Sequence, residues 1–406
     1  MEKKKAPTLR FPEFTEDWEQ RKLSDVASIV GGGTPSTSNT EYWDGDIDWY
    51  APAEIGEQIY VSKSLKTITE LGQKKSSAKI LPIGTVLFTS RAGIGKTTIL
   101  AKVGTTNQGF QSIVPHENKL DSYFIFSRTH ELKRYGEVTS AGSTFAEVSG
   151  KQMAKMPILI PCIDEQEKIG TFFKQIDNTI TLHQRKLDLL KEQKKAFLQK
   201  MFPKKGEKVP ELRFAGFADD WEERKLSEGT SKIGDGLHGT PNYSDNGDVF
   251  FINGNNLVNG KIVITKETKL VTESNQSKDD KLLNMDTILM SINGTIGNLA
   301  WYNNERVMLG KSAAYLTVSN FDKKFIFSYL QTSTIKNYFL NNLTGTTIKN
   351  LGLKTIRDTT LFVPTLEEQQ KIGLFFKQLD NTITLHQRKL DLLKEQKKGF
   401  LQNMFV

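Results

Sequence analysis

The chain is built from two copies of one plan, offset by 203 residues. The string "LRF..F..DWE.RKLS" begins at Leu9 and begins again at Leu212, and a long segment that starts at Lys168 starts again at Lys371. The two long segments differ only at Thr171/Leu374, Ile176/Leu379, Ala196/Gly399 and Lys200/Asn403. Between these anchors the halves scarcely match. Each half is long enough for its own core, so the repeat predicts two globular domains joined to shared helical parts.

The repeated long segments have the apolar spacing of a coiled coil, with steps that alternate between four and three residues. The predicted seam contains Ile169, Phe173, Ile176, Ile180, His183, Leu187, Leu190, Lys194, Phe197 and Met201, and then Ile372, Phe376, Leu379, Ile383, His386, Leu390, Leu393, Lys397, Phe400 and Met404. Capping-box spacings, Asp164 with Glu167 and Thr365 with Glu368, predict the helix starts. We predict an antiparallel pair of helices, each about 57 Å long at 1.5 Å per residue. In the alternative, each helix only covers its own domain.

These patterns divide the chain into five parts. Residues 1–163 and 211–364 are two sheet-rich domains, 164–202 and 365–406 are the long helices, and 203–210 ("PKKGEKVP") is a linker that serves as a hinge. Each variable region has β-rich runs, such as "GTVLFTS" or "DTILMSI", and one helix-like stretch, "SYFIFSRTHELKRYG" or "KFIFSYLQTSTIKNYF". The predicted class is α/β (α+β), with a twisted sheet dominating each domain.

The charge of the chain favours an acidic partner, with nucleic acid first. The formal net charge is +8 and the pI is near 9.1. The two long helices account for the whole of this excess, so DNA binding by the variable regions requires a local basic patch. Cys162 is the only cysteine, which rules out an internal disulfide and a cysteine-based zinc cluster. No segment has the apolar length of a membrane span. We expect a cytoplasmic protein without a membrane partner.

Motifs for catalysis are weak. "SRAGIGKTT" resembles a phosphate-binding loop, but Ser90 stands where glycine is required, and the second half has Asn298 in place of the lysine. We interpret both stretches as a Gly-rich turn at which Arg91 and Lys96, or Asn293 and Asn298, face a ligand. His183 and His386 occupy seam positions and are interpreted as polar residues that set the helix register, not as metal ligands.

The remaining signal is a set of polar side chains on Gly-containing loops, of the types that contact base edges and phosphates. The candidate DNA-binding residues are Lys74, Lys75, Arg91, Lys96, Asn107, Gln108, Ser143, Lys151, His238, Asn253, Asn255, Asn256, Asn293, Lys311, Thr346, Thr347, Lys349 and Asn350. No catalytic residue and no metal ligand is predicted.

The chain resembles the DNA-specificity subunits of type I restriction–modification systems. The resemblance covers essentially all of the sequence. It rests on the two-copy plan, on "LRFPEFTEDWEQRKL" and "LRFAGFADDWEERKL", on the helices that follow "P..DEQEKIG" and "P..EEQQKIG", and on "GTVLFTSRAGIGK" with the "AGST" and "TGTT" loops.

The resemblance implies two pseudo-two-fold-related target-recognition domains, separated by the pair of long antiparallel coiled-coil helices. It implies that each domain recognises half of a bipartite site in double-stranded DNA, and that the helices set the gap and dock two copies of an adenine methyltransferase subunit. It also implies a non-catalytic subunit with no cofactor of its own: S-adenosylmethionine, ATP and Mg are expected on partner subunits, one of which is a restriction/translocase subunit. Because the two domains differ in sequence, the expected site is asymmetric.

Two rival functions remain open. The first is a scaffold that binds two copies of one protein and no DNA. The second is a nuclease, because Asp248 with Glu267 and Lys269 imitates a carboxylate–lysine pattern that holds a divalent metal. Steep salt dependence and sequence preference of DNA binding distinguish the specificity subunit from the scaffold.

Overall fold

A computed structural model describes residues 6–56, 58–91, 93–140, 147–204, 206–347 and 349–405. The chain forms two compact units. The first comprises Met1–Gln184 and Lys389–Val406, and the second comprises Arg185–Arg388. The unit boundaries fall within the long helices, so each unit contains the beginning of one long helix and the end of the other.

The described residues of the first unit form three sheets. Its strands are β1 Glu19–Lys22, β2 Ala27–Gly31, β3 Trp43–Tyr50, β4 Tyr60–Val61, β5 Lys66–Ile68, β6 Val86–Phe88, β7 Thr97–Leu100, β8 Thr105–Thr106, β9 Gln111–Pro115 and β10 Pro157–Ile160. They form a five-stranded sheet (β2-β9-β6-β7-β4), a three-stranded sheet (β5-β3-β8) and an antiparallel β1-β10 pair. Its helices are α1 Leu23–Val26, α2 Glu70–Lys74, α3 Ser122–Ser127, α4 Thr129–Ser140, α5 Gly150–Ala154 and the first part of α6 Ile163–Lys200.

The second unit has a similar arrangement. Its strands are β11 Glu222–Lys225, β12 Thr230–Asp235, β13 Val249–Ile252, β14 Leu257–Val258, β15 Lys261–Ile262, β16 Leu270–Val271, β17 Thr287–Ser291, β18 Leu299–Trp301, β19 Val307–Leu309, β20 Ala313–Val318 and β21 Thr360–Val363. They form the sheets β12-β20-β17-β18, β16-β13-β19, β11-β21 and β14-β15. Its helices are α7 Lys278–Lys281, α8 Lys323–Tyr329, α9 Ser333–Asn341, α10 Leu353–Arg357 and the first part of α11 Leu366–Asn403. The mixed class is confirmed, and the largest sheet, with five strands in the first unit and four in the second, is accompanied by smaller sheets.

Each predicted helix-like stretch in the variable regions is two helices. In the first unit the break follows α3 at Arg128, whose guanidinium is buried, donates to the Leu159 carbonyl at 2.5 Å and pairs with Glu131. In the second unit the break follows α8, and the Thr332 side chain caps the next helix by accepting from the Ile335 amide. Apolar periodicity continues across both breaks, which is why the sequence predicted one helix.

The long helices confirm the heptad prediction. Helices α6 and α11 each contain 38 residues, and every predicted seam position is buried or half-buried. Within the first unit, Lys397 Nζ lies 2.6 Å from Asp177 Oδ1, and the rings of Phe172 and Phe400 are 5.0 Å apart. These contacts run in opposite directions along the two helices, so the pair is antiparallel.

The second unit repeats this packing at equivalent positions. Lys194 Nζ lies 2.6 Å from Asp380 Oδ1, and the rings of Phe197 and Phe375 are 5.1 Å apart. The two seam lysines are therefore neutralised by aspartates of the facing helix, which explains how a lysine is accommodated at an apolar position.

One helix start differs from the prediction. Helix α6 begins at Ile163, so Asp164 lies inside its first turn and is not the N-cap. The Gln166 amide donates to the Cys162 carbonyl, as the Gln369 amide donates to that of Thr365. Cys162 and Thr365 are thus the equivalent flanking residues. The prediction was wrong because Asp164 and Glu167 have the spacing of a capping box, although both lie inside the helix.

The segment 203–210 lies within the second unit. After α6 ends, the chain folds back on it, and the Leu212 amide donates to the Lys200 carbonyl at 2.8 Å. Glu211 pairs with both Lys200 and Lys204. These contacts attach the segment to the end of the helix, so the predicted hinge does not coincide with a boundary between the compact units.

Candidate nucleic-acid interface

The repeated segment that opens each half is attached to its unit by the same ion pair in both units. In the first unit, the Arg10 guanidinium donates two hydrogen bonds of 2.7 Å to the Glu165 carboxylate, whose side chain is fully buried. In the second unit, Arg213 donates to Glu368 at 2.7 and 2.8 Å, again with a fully buried carboxylate. These hydrogen bonds raise the pKa of both arginines above the ordinary value. The opening segment of each half is thereby fixed to the start of a long helix by a bidentate ion pair.

A hydroxyl-braced turn follows the buried strand β6 in the first unit. The Thr89 hydroxyl donates to the Gly93 carbonyl at 2.8 Å and accepts from the Lys96 amide at 2.9 Å. The Gly95 amide bonds back to the Thr89 carbonyl, and Gly95 has φ +94°, a conformation that favours glycine. Lys96 is exposed at the end of this turn, and Arg91 is half-buried near its start.

The second unit has the same turn after β17, with different side chains. Ser291 replaces the threonine: its hydroxyl contacts the Thr295 carbonyl and accepts from the Asn298 amide at 2.9 Å. Gly297 has φ +80° and bonds to the Ser291 carbonyl. The correspondence predicted from the sequence is therefore confirmed as a shared turn, in which Arg91 matches Asn293.

A second loop lies beside this turn in each unit, at the end of a parallel strand pair. The Asn107 amide donates to the Tyr50 carbonyl at 3.0 Å, and the Ser90 amide donates to the Gly109 carbonyl at 2.8 Å. Gln108 lies between the two bonded residues, Asn107 and Gly109, and its side chain is exposed.

The equivalent loop of the second unit makes the same backbone bonds. The Gly310 amide donates to the Ile252 carbonyl at 2.8 Å, and the Ile292 amide donates to the Ser312 carbonyl at 2.9 Å. Lys311, also exposed, therefore occupies the position of Gln108.

A third loop completes the surface. The Gly33 amide donates to the Thr106 carbonyl at 2.8 Å in the first unit, and the Leu237 amide donates to the Leu309 carbonyl at 2.7 Å in the second. The next residue is Thr34 in one case and His238 in the other. The Thr34 hydroxyl contacts the Gln108 side chain, whereas His238 Nε2 lies 2.7 Å from Asp235 Oδ2.

A fourth segment pairs with the turn through isolated bridges, Arg91 with Glu147 in the first unit and Asn293 with Asn350 in the second. In the second unit, Asn350 also bonds through its backbone to Thr344 at 2.9 Å in both directions, closing the "TGTT" loop. Four loops thus meet at one end of each unit. We call this set the loop surface: the segments at Thr34, Arg91, Gln108 and Glu147 in the first unit, and their equivalents in the second.

The loop surface accounts for some of the predicted site residues and not for others. Asn107 belongs to it, and Asn253 and Asn256 lie in the segment that directly follows β13; the side-chain oxygens of all three accept from backbone amides or a serine hydroxyl and brace the loops. Asn255 is exposed there. The remaining candidates on these loops are Arg91, Gln108, His238, Asn293, Lys311, Thr346, Thr347, Lys349 and Asn350.

Other predicted residues lie off these loops or outside the described ranges. Lys74 ends α2 with Lys75 directly after it, and Lys151 lies in α5, whereas Lys96 is at the end of the braced turn itself; all four are exposed. Ser143 is outside the described residues. Sequence reasoning missed Thr34 and Glu147. The run of glycines before Thr34 was the available signal, because it permits a close backbone approach.

The nuclease candidates are not brought together. Asp248 forms an ion pair of 2.5 Å with Arg306. Glu267 lies in the turn before β16, three residues from its first residue Leu270, whereas Asp248 directly precedes Val249, which pairs with Val271 at the far end of β16. Across the ranges that the structure describes, no group of three or more His, Cys, Asp or Glu residues is arranged to hold a metal ion. In the same ranges, no helix combines the length and apolar character needed to cross a bilayer.

Comparison with known proteins identifies the family. The profile of the family described as "Type I restriction modification DNA specificity domain" matches residues 15–192 and again residues 218–395. The MjaIX specificity subunit of Methanocaldococcus jannaschii is 37% identical over 180 residues, which are 44% of this chain and 42% of that protein. The EcoR124I/EcoR124II specificity subunit of Escherichia coli is 32% identical over 184 residues, 43% of this chain and 44% of that protein. Both alignments span less than half of these relatives.

A solved structure has the same fold over nearly the whole chain. It is the S subunit of a type I restriction–modification system from M. genitalium, with a TM-score of 0.64 and 14% identity, covering 99% of each chain. The putative MjaX specificity subunit of M. jannaschii aligns over 96% of this chain and 93% of its own length, at 23% identity. With both halves matched by the family profile, the chain belongs to the type I restriction–modification DNA-specificity family.

Proposed function

We propose that the chain is the sequence-specific DNA-binding subunit of a type I restriction–modification complex, and that each unit recognises one half of an asymmetric bipartite site. The supporting observation is that equivalent positions of the two loop surfaces carry different side chains on the same backbone frame. Arg91 corresponds to Asn293, Gln108 to Lys311, and Thr34 to His238. Arginine and lysine pair best with guanine, and asparagine and glutamine with adenine. Different side chains on a common frame suit two different half-sites.

The long helices are assigned two roles in this proposal. They set the gap between the half-sites, and their exposed faces dock two copies of an adenine methyltransferase subunit. Helices α6 and α11 differ at only four positions between Lys168 and the end of each repeat, so they present nearly the same surface twice. That identity supports a partner present in two copies. S-adenosylmethionine, ATP and Mg belong to partner subunits, one of which is a restriction/translocase subunit.

The direct test is a map of N6-methyladenine across the genome. Cells that carry the chain with its methyltransferase partner are compared with cells that lack only this chain. We expect an asymmetric, gapped methylation motif that disappears with the chain. An unchanged map, with the complex shown to assemble, would instead support the scaffold function.

Insertion of one heptad in each long helix tests the spacer role. Seven residues that continue the seam are added after Gln184 and after Gln387. Each insertion adds about 10 Å of helix, so the unrecognised gap should lengthen by about 3 base pairs while both half-site sequences stay unchanged. The methylation motif of the variant gives the gap directly. Retention of the original gap in a folded, active complex would contradict the spacer role.

A further inference from the structure

The second unit carries a cluster of lysines around one tryptophan, away from the loop surface. Trp301, at the end of β18, stacks on Phe327 with ring centroids 3.8 Å apart and planes at 17°. Lys377 Nζ lies 4.3 Å from the Trp301 ring centroid, and Lys323 Nζ lies 5.1 Å from it. The tryptophan ring thus orders two ammonium groups by cation–π contact.

Two more lysines lie close enough to act electrostatically. Lys324 and Lys261 both lower the pKa of the Lys377 ammonium, although burial has the larger effect. The pKa of Lys323 is lowered to about 8, mainly by burial; Lys377 and Lys324 also lower it, while Asp286 and Glu305 raise it. We call Lys261, Lys323, Lys324 and Lys377 the lysine cluster.

The acidic residues near the lysine cluster are few. Asp286 and Glu305 act on Lys323, and Asp380 acts on Lys377. The Asp380 carboxylate is already paired with Lys194 at 2.6 Å. Repulsion among the four ammonium groups is therefore only partly offset, and a bound anion would relieve it.

The first unit lacks the lysine cluster at the equivalent place. Lys174 corresponds to Lys377 in the helix repeat and lies over Tyr60, with Nζ 5.8 Å from the ring centroid. Ser122 takes the place of Lys323: each is the first residue of the helix after a capping aspartate, and the Ser122 hydroxyl donates to Gly84. Only one lysine of four has a counterpart, so the property belongs to the second unit alone.

The position of the lysine cluster relative to the braced turn indicates its ligand. Trp301 pairs with Ile288 in the β17–β18 register, and the turn begins at Ser291. Three residues of strand separate them, or about 10 Å, which corresponds to about 3 base pairs along a duplex. A duplex that extends from the loop surface along the β17–β18 hairpin has backbone phosphates within reach of side chains at this distance from the turn.

We propose that the lysine cluster binds phosphates of the DNA duplex beside the half-site recognised by the second unit, and that the first unit has no equivalent phosphate-binding site. The inference rests on the proposed function and deepens it. The cluster contributes affinity and salt dependence without sequence preference, because phosphates are the same at every base pair. The complex then makes more phosphate contacts beside the half-site of the second unit than beside that of the first.

The test compares single charge removals at equivalent helix positions, Lys377→Gln and Lys174→Gln, and adds the double variant Lys323→Gln/Lys377→Gln. Each is prepared as the full chain with its methyltransferase partner. Binding is measured by titration at several salt concentrations, on a duplex that extends past the second unit's half-site and on one that ends at it. We expect the double variant to bind the extended duplex roughly tenfold more weakly, with a salt slope smaller by about 0.9 for each phosphate that is no longer neutralised.

Further outcomes separate this inference from the proposed function. Lys174→Gln should leave the slope unchanged, Lys377→Arg should retain it, and every variant should keep its preference for the methylated motif over a scrambled duplex. Equal effects of Lys174→Gln and Lys377→Gln, or an unchanged slope in the double variant, would overturn the inference. Failure of methyltransferase assembly with unaltered DNA binding would also overturn it and would assign the cluster to an acidic protein surface. Absence of the motif preference in the unaltered complex would be a failure of the proposed function instead.

Discussion

Glu165→Ala is expected to lower the free energy of unfolding of the first unit by about 3 kcal/mol, because it leaves a charged guanidinium without its partner in a nearly closed site. The Glu165 side chain is fully buried and that of Arg10 is 14% exposed. The remaining exposure lets water reach part of the arginine. The expected loss of stability is therefore at the lower end of the range for removing one partner of a buried ion pair. Chemical denaturation, with peptide-resolved hydrogen exchange to assign the loss to the first unit, measures the effect.

The repeat supplies the controls for this prediction. Glu167→Ala removes an exposed carboxylate from the same helical turn and should change stability by less than about 0.5 kcal/mol. Glu368→Ala should destabilise the second unit by an amount similar to the effect of Glu165→Ala on the first. A loss below about 1 kcal/mol for Glu165→Ala would show that the pair behaves as a surface salt bridge.

Arg91→Ala is expected to relax the base preference in one half-site and leave the other half-site unchanged. A bidentate contact to guanine contributes about 1–3 kcal/mol of discrimination, or roughly fivefold to 150-fold in relative affinity. The methylation motif of cells with the variant shows which position becomes degenerate. Asn293→Ala, at the equivalent position of the second unit, should relax the opposite half-site.

An arginine away from the loop surface tests whether charge alone explains this result. Arg134→Ala removes an exposed guanidinium from α4 and should leave both half-sites as they are. Degeneracy in both half-sites of the Arg91→Ala variant, or in neither, would contradict recognition of one half-site by the first unit.

The sequence predicted the parts of the fold that repeat. The heptad positions from Ile169 to Met201 are all buried or half-buried, and the seam lysines Lys194 and Lys397 find aspartate partners across the pair. The correspondence of Arg91 with Asn293 also came from the sequence, because a glycine, Gly95 or Gly297, follows four residues later in both halves. Periodicity and φ requirements are local, so a single chain displays them.

The rest of the candidate site depends on contacts between distant segments. Gln108 and Lys311 occupy one position, but "TTNQGF" and "MLGKSA" share no pattern that would align them. Their equivalence follows only from the parallel strand pairs that end at Thr106 and Leu309. For the same reason, Asn253 was predicted to face DNA, although its side-chain oxygen accepts from the Ser312 hydroxyl at 2.9 Å and braces a loop.

Because each long helix is divided between the two units, the units complete their cores at different times during synthesis on the ribosome. Met404 is buried in the core of the first unit, and Phe405 packs against Trp18 and stacks on Phe173. The corresponding residues of the second unit, Met201 and Phe202, directly follow α6. These are made before its own strands emerge, so it can complete its core as soon as it is synthesised. The first unit must wait, with Trp18 and Phe173 uncovered, until the second unit has been translated in full.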